Sequence, residues 1–100
     1  MVIHGNEESF KELIKDGKVI VDFFATWCGP CKMLTPVVEQ LASQYSDIKF
    51  VKIDVDECPN ISKEYGIMSV PTLLKFENGE LIDTKIGYLN INEFENWVCE

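Results

Sequence analysis

Two cysteines three positions apart, in Trp27-Cys28-Gly29-Pro30-Cys31-Lys32, are the residues of this chain best suited to chemistry. A pair at that spacing can alternate between two thiols and a disulfide, or supply two ligands to a metal ion. Spacing alone is a weak signal, because four cysteines scattered over 100 residues give some CxxC in roughly one chain in eight. The setting adds weight, since a strand-like run precedes the pair and a helix-like run follows it. At the first turn of a helix, positions i and i+3 share a face and lie within disulfide distance. Unpaired backbone N–H groups and the helix dipole favour an anion there; this lowers a thiol pKa, and the thiolate is the nucleophile. Cys28 is therefore expected to be the more exposed and more acidic sulfur, and Cys31, one turn in, the buried resolving thiol. Gly29 lets a partner approach closely, while Pro30 fixes the turn and removes a donor that would be unpaired anyway.

The elements that must hold this pair can be read from periodicity. Val2-Ile3 suggests a short edge strand. Asn6 suits an N-cap with Glu7 and Glu8 in the first turn, and Phe10, Leu13 and Ile14 give the helix a buried stripe up to Gly17. The nearly continuous apolar run Lys18–Ala25 predicts a strand covered on both faces, interrupted only by Asp22. The helix opening at the cysteines continues through Met33, Leu34, Val37, Val38, Leu41 and Tyr45, with Pro36 expected to kink it. Residues 48–54 alternate apolar and charged, predicting a strand with one face more exposed. A short helix from Pro59 to Gly66 follows. The grammar then changes. Residues 72–77 and 80–86 flank Asn78-Gly79, the strongest short hairpin signal, and Asn90 to Glu93 reads as a capping box before a last helix carrying Ile91, Phe94, Trp97 and Val98. Strands joined by helical crossovers should be parallel, so the fold class is α/β. The expected architecture is a central mixed sheet, parallel βαβαβ first and antiparallel ββα last, with helices on both faces.

Composition bounds the function. One hundred residues, 46% apolar and 26% charged, are expected to form one domain spanning residues 1–100. A net charge of −8 disfavours nucleic acid and anionic membranes as partners. No apolar run reaches the ~20 residues of a membrane helix, and no signal peptide is visible at the N-terminus. A reducing, cytoplasmic setting is expected, where a cysteine pair is catalytic or metal-binding rather than structural.

Val21-Asp22-Phe23 followed by Trp27-Cys28-Gly29-Pro30-Cys31-Lys32 resembles the thioredoxin family. So do Pro36, Tyr65-Gly66-Ile67, Val70-Pro71-Thr72, Asn78-Gly79 and Gly87, and the likeness spans essentially the whole chain. The resemblance implies the thioredoxin fold and a thiol-disulfide oxidoreductase that reduces disulfides in target proteins and contributes to redox homeostasis. Cys28 would attack the target disulfide and Cys31 would then attack Cys28 and release the reduced target. It also implies that Asp22 lies behind Cys31 and assists its deprotonation, with Lys52 nearby. Gly29, Pro30 and Lys52 would tune the redox pair. Trp27, Val70, Pro71 and Gly87 would meet the target, with Pro71 cis. No bound cofactor or metal is implied; a thioredoxin reductase would supply the electrons to what is expected to be a monomer.

The residues themselves support part of this. Val19, Ile20, Val21, Phe23 and Phe24 make burial of Asp22 the better reading, and burial raises a carboxyl pKa towards the range a general base needs. Without the resemblance, Lys52 would be a solvated surface charge and Pro71 a trans strand breaker. Cys58 and Cys99 lie outside the motif: they read as adventitious thiols or, if exposed, as a regulatory or dimer-forming pair. A zinc site built from all four cysteines lacks a second close pair. A disulfide oxidase or isomerase and a non-catalytic scaffold remain as alternatives; Gly29-Pro30 resembles the reducing branch. The chain departs from the family at Phe24, where a second tryptophan is common, at Ser69, and at Tyr88, whose bulk would narrow the target groove.

Overall fold

A computed structural model describes all residues from 1 to 100. In order, the elements are β1 (Val2–His4), α1 (Phe10–Ile14), β2 (Lys18–Phe24), α2 (Gly29–Gln44), β3 (Lys49–Asp54), α3 (Pro59–Glu64), β4 (Thr72–Glu77), β5 (Glu80–Ile86) and α4 (Ile91–Cys99). They form one five-stranded sheet in the order β1-β3-β2-β4-β5. β3 pairs in parallel with both β1 and β2, whereas β4 pairs antiparallel with β2 and with β5. This is the mixed sheet expected, parallel among β1, β3 and β2 and antiparallel where β4 and β5 join it.

Side chains of β2 alternate between the two faces. Val19, Val21 and Phe23 pack with Phe10 and Ile14 of α1 and Ile61 of α3. Ile20 packs on the other face with Leu34, Val38 and Leu41 of α2 and Phe94, Trp97 and Val98 of α4. Burial on both faces explains why the β2 sequence lacks polar alternation. Asp22 falls on the α2/α4 side, in register with Lys52 of β3 and Leu73 of β4.

Three local expectations are corrected. Asn6 does not cap α1 directly: the helix starts at Phe10 with Ser9 as its N-cap. Asn6 instead closes the preceding turn, its Oδ1 accepting from Ser9 N at 2.8 Å while Ser9 Oγ accepts from Asn6 N at 3.0 Å. Glu7 turns away from α1 to α3, accepting from the backbone N of Ile61 at 3.0 Å and from Asn60 at 3.1 Å. An acidic side chain does sit at a helix N-terminus, but a helix distant in sequence. β3 has no exposed face, because Phe50 is buried beneath α2 and α4 while Val51 and Ile53 are buried on the opposite side. Its lysines alternate at the margins, where long apolar stems can be covered while the heads reach polar partners. Cys58 is not exposed either: it is buried among Phe10, Ile61 and Phe23, which leaves Cys99 as the one accessible thiol outside the motif.

Other expectations hold. Asn78 and Gly79 both have positive φ, 51° and 86°, as a two-residue hairpin of this twist requires. Asn90 and Glu93 form a reciprocal capping box at α4. The helix expected from the cysteines onward is α2, Gly29–Gln44, with Pro36 inside it.

Candidate active site

The chain leaves β2 at Phe24 and enters α2 at Gly29, so residues 25–28 form the loop at the C-terminal end of a central strand. Such a loop is where a parallel sheet offers room for chemistry. Cys28 is the N-cap of α2 in extended conformation, and Pro30 occupies the first helical turn. Cys28 and Cys31 form a disulfide, with their Cα atoms 5.3 Å apart. The backbone N of Cys31 also donates to Cys28 Sγ at 3.2 Å. A side-chain acceptor at the N-cap bonded to the N3 donor is the usual capping geometry, with sulfur in place of oxygen. The same N–H is aimed at the charge that Sγ would carry as a thiolate.

The expected contrast in exposure does not hold in this disulfide state. Cys28 is 5% exposed and Cys31 2% exposed, so both sulfurs are buried. Ala25 lies against the pair, with Phe24, Val55 and Val70 around it. The carbonyl of Val70 lies 3.7 Å from Cys28 Sγ, covering the sulfur from the β4 side. A hydrogen at Gly29 faces open space, since an added Cβ would meet nothing within 4 Å.

Three more segments converge here. The Val70-Pro71 peptide is cis, as the resemblance implied, and Pro71 is buried. Gly87, with φ of 97°, donates its N–H to Pro71 O at 2.8 Å, joining the end of β5 to the cis-proline segment. A residue with a Cβ would be strained at that φ. Trp27 is 69% exposed beside the disulfide, and its Nε1 donates to Asp56 at 2.9 Å. Val70, Pro71, Gly87 and Trp27 thus line one end of the sheet together with the sulfurs.

On the face of β2 that α2 covers lies Asp22, 1% exposed, with no protein hydrogen-bond partner on either carboxylate oxygen. Desolvation pushes its pKa up to about 6, against a smaller opposing pull from Lys52. An unpartnered buried carboxyl is a rare and costly arrangement, so it marks a place where function outweighs stability. Lys52 does not form an ion pair with it. The Lys52 ammonium donates to Thr35 Oγ1 at 3.2 Å and sits 4.3 Å from the centre of the Phe24 ring. A cleft of about 200 Å³, lined by Phe24, Ala25, Thr26, Cys31, Lys32, Thr35 and Lys52, opens between Cys31 and this lysine.

Thr35 and Asp56 were missed by the sequence reading. Thr35 was detectable, because it lies four residues after Cys31 on the same helix face. Asp56 carried no such signal. Cys58 and Cys99 are free thiols outside the disulfide, and no group of three or more His, Cys, Asp or Glu side chains is placed to hold a metal ion.

A CxxC disulfide capping a helix beside a cis-proline, with a buried aspartate on the strand that leads to it, is a specific combination. The thioredoxin family model matches residues 1–100. The chain belongs to the thioredoxin family. Among curated relatives, it is 47% identical to a thioredoxin of Rickettsia felis over 95 residues, covering 92% of this chain and 90% of that protein. It is 44% identical to a thioredoxin of Bacillus subtilis over 88 residues, covering 87% and 85% of the two chains. With thioredoxin 1 of Synechococcus elongatus it shares 46% identity over 84 residues, 81% of this chain and 78% of the relative. The chain is a dithiol-disulfide oxidoreductase whose reactive pair is Cys28 and Cys31. It acts on disulfides as this family does, and no helix is long and apolar enough to cross a membrane.

Proposed function

We propose that this single thioredoxin domain, residues 1–100, is a cytoplasmic protein-disulfide reductase working as a monomer. In this reading the reduced pair meets a target disulfide. The Cys28 thiolate attacks one target sulfur, forming a mixed disulfide and expelling the other as a thiolate. Cys31 then loses its proton and attacks Cys28 Sγ; the internal disulfide forms, the second target sulfur leaves, and both target sulfurs end as thiols. Two electrons and two protons pass to the target. The observation that carries the reading is the Cys31 N–H on Cys28 Sγ, because the helix terminus is already arranged to hold a thiolate at that atom.

Asp22 takes the Cys31 proton in the second step. A carboxyl with a pKa of about 6 is mostly ionised at pH 7, ready to accept a proton, yet close enough to neutrality to return it. Lys52 sets the charge around it, and Gly29 and Pro30 set the turn that holds the sulfurs together. The exposed indole of Trp27, with Val70, Pro71 and Gly87, forms the surface on which the target chain docks. No bound cofactor takes part; a thioredoxin reductase returns electrons to the disulfide.

Insulin-disulfide reduction with NADPH and a thioredoxin reductase tests this. Cys28→Ser should abolish turnover, and Cys31→Ser should trap a mixed disulfide with the target. Full turnover by Cys28→Ser would overturn the assignment. A redox titration against glutathione decides the direction, since a strongly oxidising potential would make the protein a disulfide donor instead.

A further inference from the structure

The Lys52 ammonium has a choice of partners, and the one it takes is unexpected. Lys52 and Asp22 are register partners on neighbouring parallel strands, whose backbones lie about 4.8 Å apart. A flexible four-carbon stem spans that gap with ease, so a direct ion pair is sterically available. The pair does not form. The ammonium is drawn towards α2, where it meets the Thr35 hydroxyl and the face of Phe24.

The polarity of that hydroxyl is fixed. Thr35 Oγ1 donates its single hydrogen to the carbonyl of Cys31, one turn back, at 3.1 Å. Its lone pairs are therefore left to accept, and the acceptance goes to Lys52. The result is a relay from the Cys31 backbone through Thr35 to Lys52, with Asp22 left unpartnered beneath it.

We propose that Thr35 is a positioning residue for the redox step: it holds the Lys52 ammonium off Asp22 and so keeps that carboxyl able to take a proton from Cys31. The effect on Asp22 follows from charge. A cation in direct contact would hold the carboxylate ionised and lower its pKa by roughly one to three units, making it a weaker base. At its present distance Lys52 opposes desolvation only in part. The other elements packed around Asp22 supply no competing charge. β4 presents Leu73 and, two residues on, Lys75, whose ammonium is taken up by Trp97 O; the α2 and α4 side chains buried on this face, among them Leu34, Val38 and Phe94, are uncharged, and Lys32 is exposed. Phe24 helps by offering its ring to the same ammonium, a contribution that falls to a cation–π contact.

This inference rests on Asp22 as the proton acceptor, yet its test does not need activity. The Asp22 titration is followed by carboxyl carbon NMR in the oxidised protein, together with the pH profile of mixed-disulfide release. Thr35→Val removes the hydroxyl at nearly constant volume, and should lower the Asp22 midpoint by roughly a unit or more as Lys52 swings across. The pH profile should move the same way. Thr35→Ser keeps the hydroxyl and should restore the original midpoint. In a Lys52→Met background, Thr35→Val should shift nothing, because the ammonium it redirects is gone. An unchanged midpoint in Thr35→Val, or a shift that persists without Lys52, overturns the proposal. Should Thr35→Val fold poorly, Thr35→Ala carries the same expectation. Failure of the Asp22 reading would appear elsewhere, as unaltered release kinetics in Asp22→Asn, and would leave the NMR midpoints standing.

Discussion

The sheet buries two charged side chains on the same face, two residues apart in register, and treats them in opposite ways. Asp22 of β2 pairs with Leu73 of β4, and Lys75 of β4 pairs with Ile20 of β2. Asp22 is 1% exposed and Lys75 2% exposed. The lysine has partners. Its ammonium donates to Trp97 O near the C-terminus of α4, where the helix dipole favours a cation, and lies 4.8 Å from the Trp97 ring. Lys18 adds a second cap to the same end by donating to Val98 O at 2.9 Å. Trp97 Nε1 is satisfied in turn by Asp83 at 2.8 Å. Asp22 has none of this. The lysine belongs to the architecture and the aspartate to the chemistry, and what separates them is hydrogen bonding, since both are equally buried.

The comparison predicts opposite responses to mutation, and the largest is at Lys75. Lys75→Ala removes one of the two cations at the end of α4 and leaves a cavity beneath Trp97, and should cost roughly 2–4 kcal/mol of stability by urea unfolding. Insulin reduction per folded molecule should stay within about twofold, as nothing at the sulfurs is touched. A large loss of specific activity would blur the distinction drawn between the two charges.

Asp22→Asn should move stability the other way. The folded-state pKa is raised from 3.8 to about 6, so the native state binds the proton more tightly than the unfolded chain does. Stability contributed by this group is therefore present at pH 4 and lost as pH rises towards about 6, after which it stays lost. At about 1.4 kcal/mol per pH unit, ionised Asp22 costs the fold about 3 kcal/mol above pH 7. Asp22→Asn should regain roughly 2 kcal/mol there and flatten the fall between pH 4 and 6. A variant less stable than the parent at pH 8 would mean that the carboxylate has a partner after all.

The smallest effect sharpens the structural half. Trp97→Phe keeps the aromatic packing but loses the hydrogen bond to Asp83, and should cost about 1 kcal/mol in thermal unfolding. Its Asp22 titration should be unchanged, because α4 and the disulfide end do not share these contacts. A moved Asp22 midpoint would show the two charges to be coupled.

Much of this was legible in the sequence because its signals were local. The hairpin at Asn78-Gly79, the capping box at Asn90 and the paired cysteines at a strand-to-helix junction each depend on a few consecutive residues. The β4 and β5 bounds agree with expectation for the same reason. The disagreements arose where a distant element decided the outcome. Glu7 looks like a first-turn acid of α1 but serves α3, which the chain reaches only fifty residues later. Residues 48–54 mix apolar and charged side chains as on a half-exposed strand, yet α2 and α4 cover the face that carries Phe50, and Val51 and Ile53 are buried on the other. Cys28 looked exposed from its place at a helix end, but the Val70 carbonyl and Ala25 close over it. Lys75 gave no hint of burial, since a lone lysine in an apolar run reads as a surface charge until the end of α4 is seen to receive it. Asp22 was placed by its apolar neighbours; the absence of any partner for it needed three dimensions.

The central claim is that the unpartnered carboxyl of Asp22 serves the second thiol and not the first. Rapid-mixing kinetics on Asp22→Asn at pH 7 test it directly, by timing formation of the mixed disulfide and its release separately. Release should slow by roughly a hundredfold, the scale of a lost general base, while the initial attack by Cys28 stays within about threefold. Equal slowing of both steps, or of neither, would contradict the account.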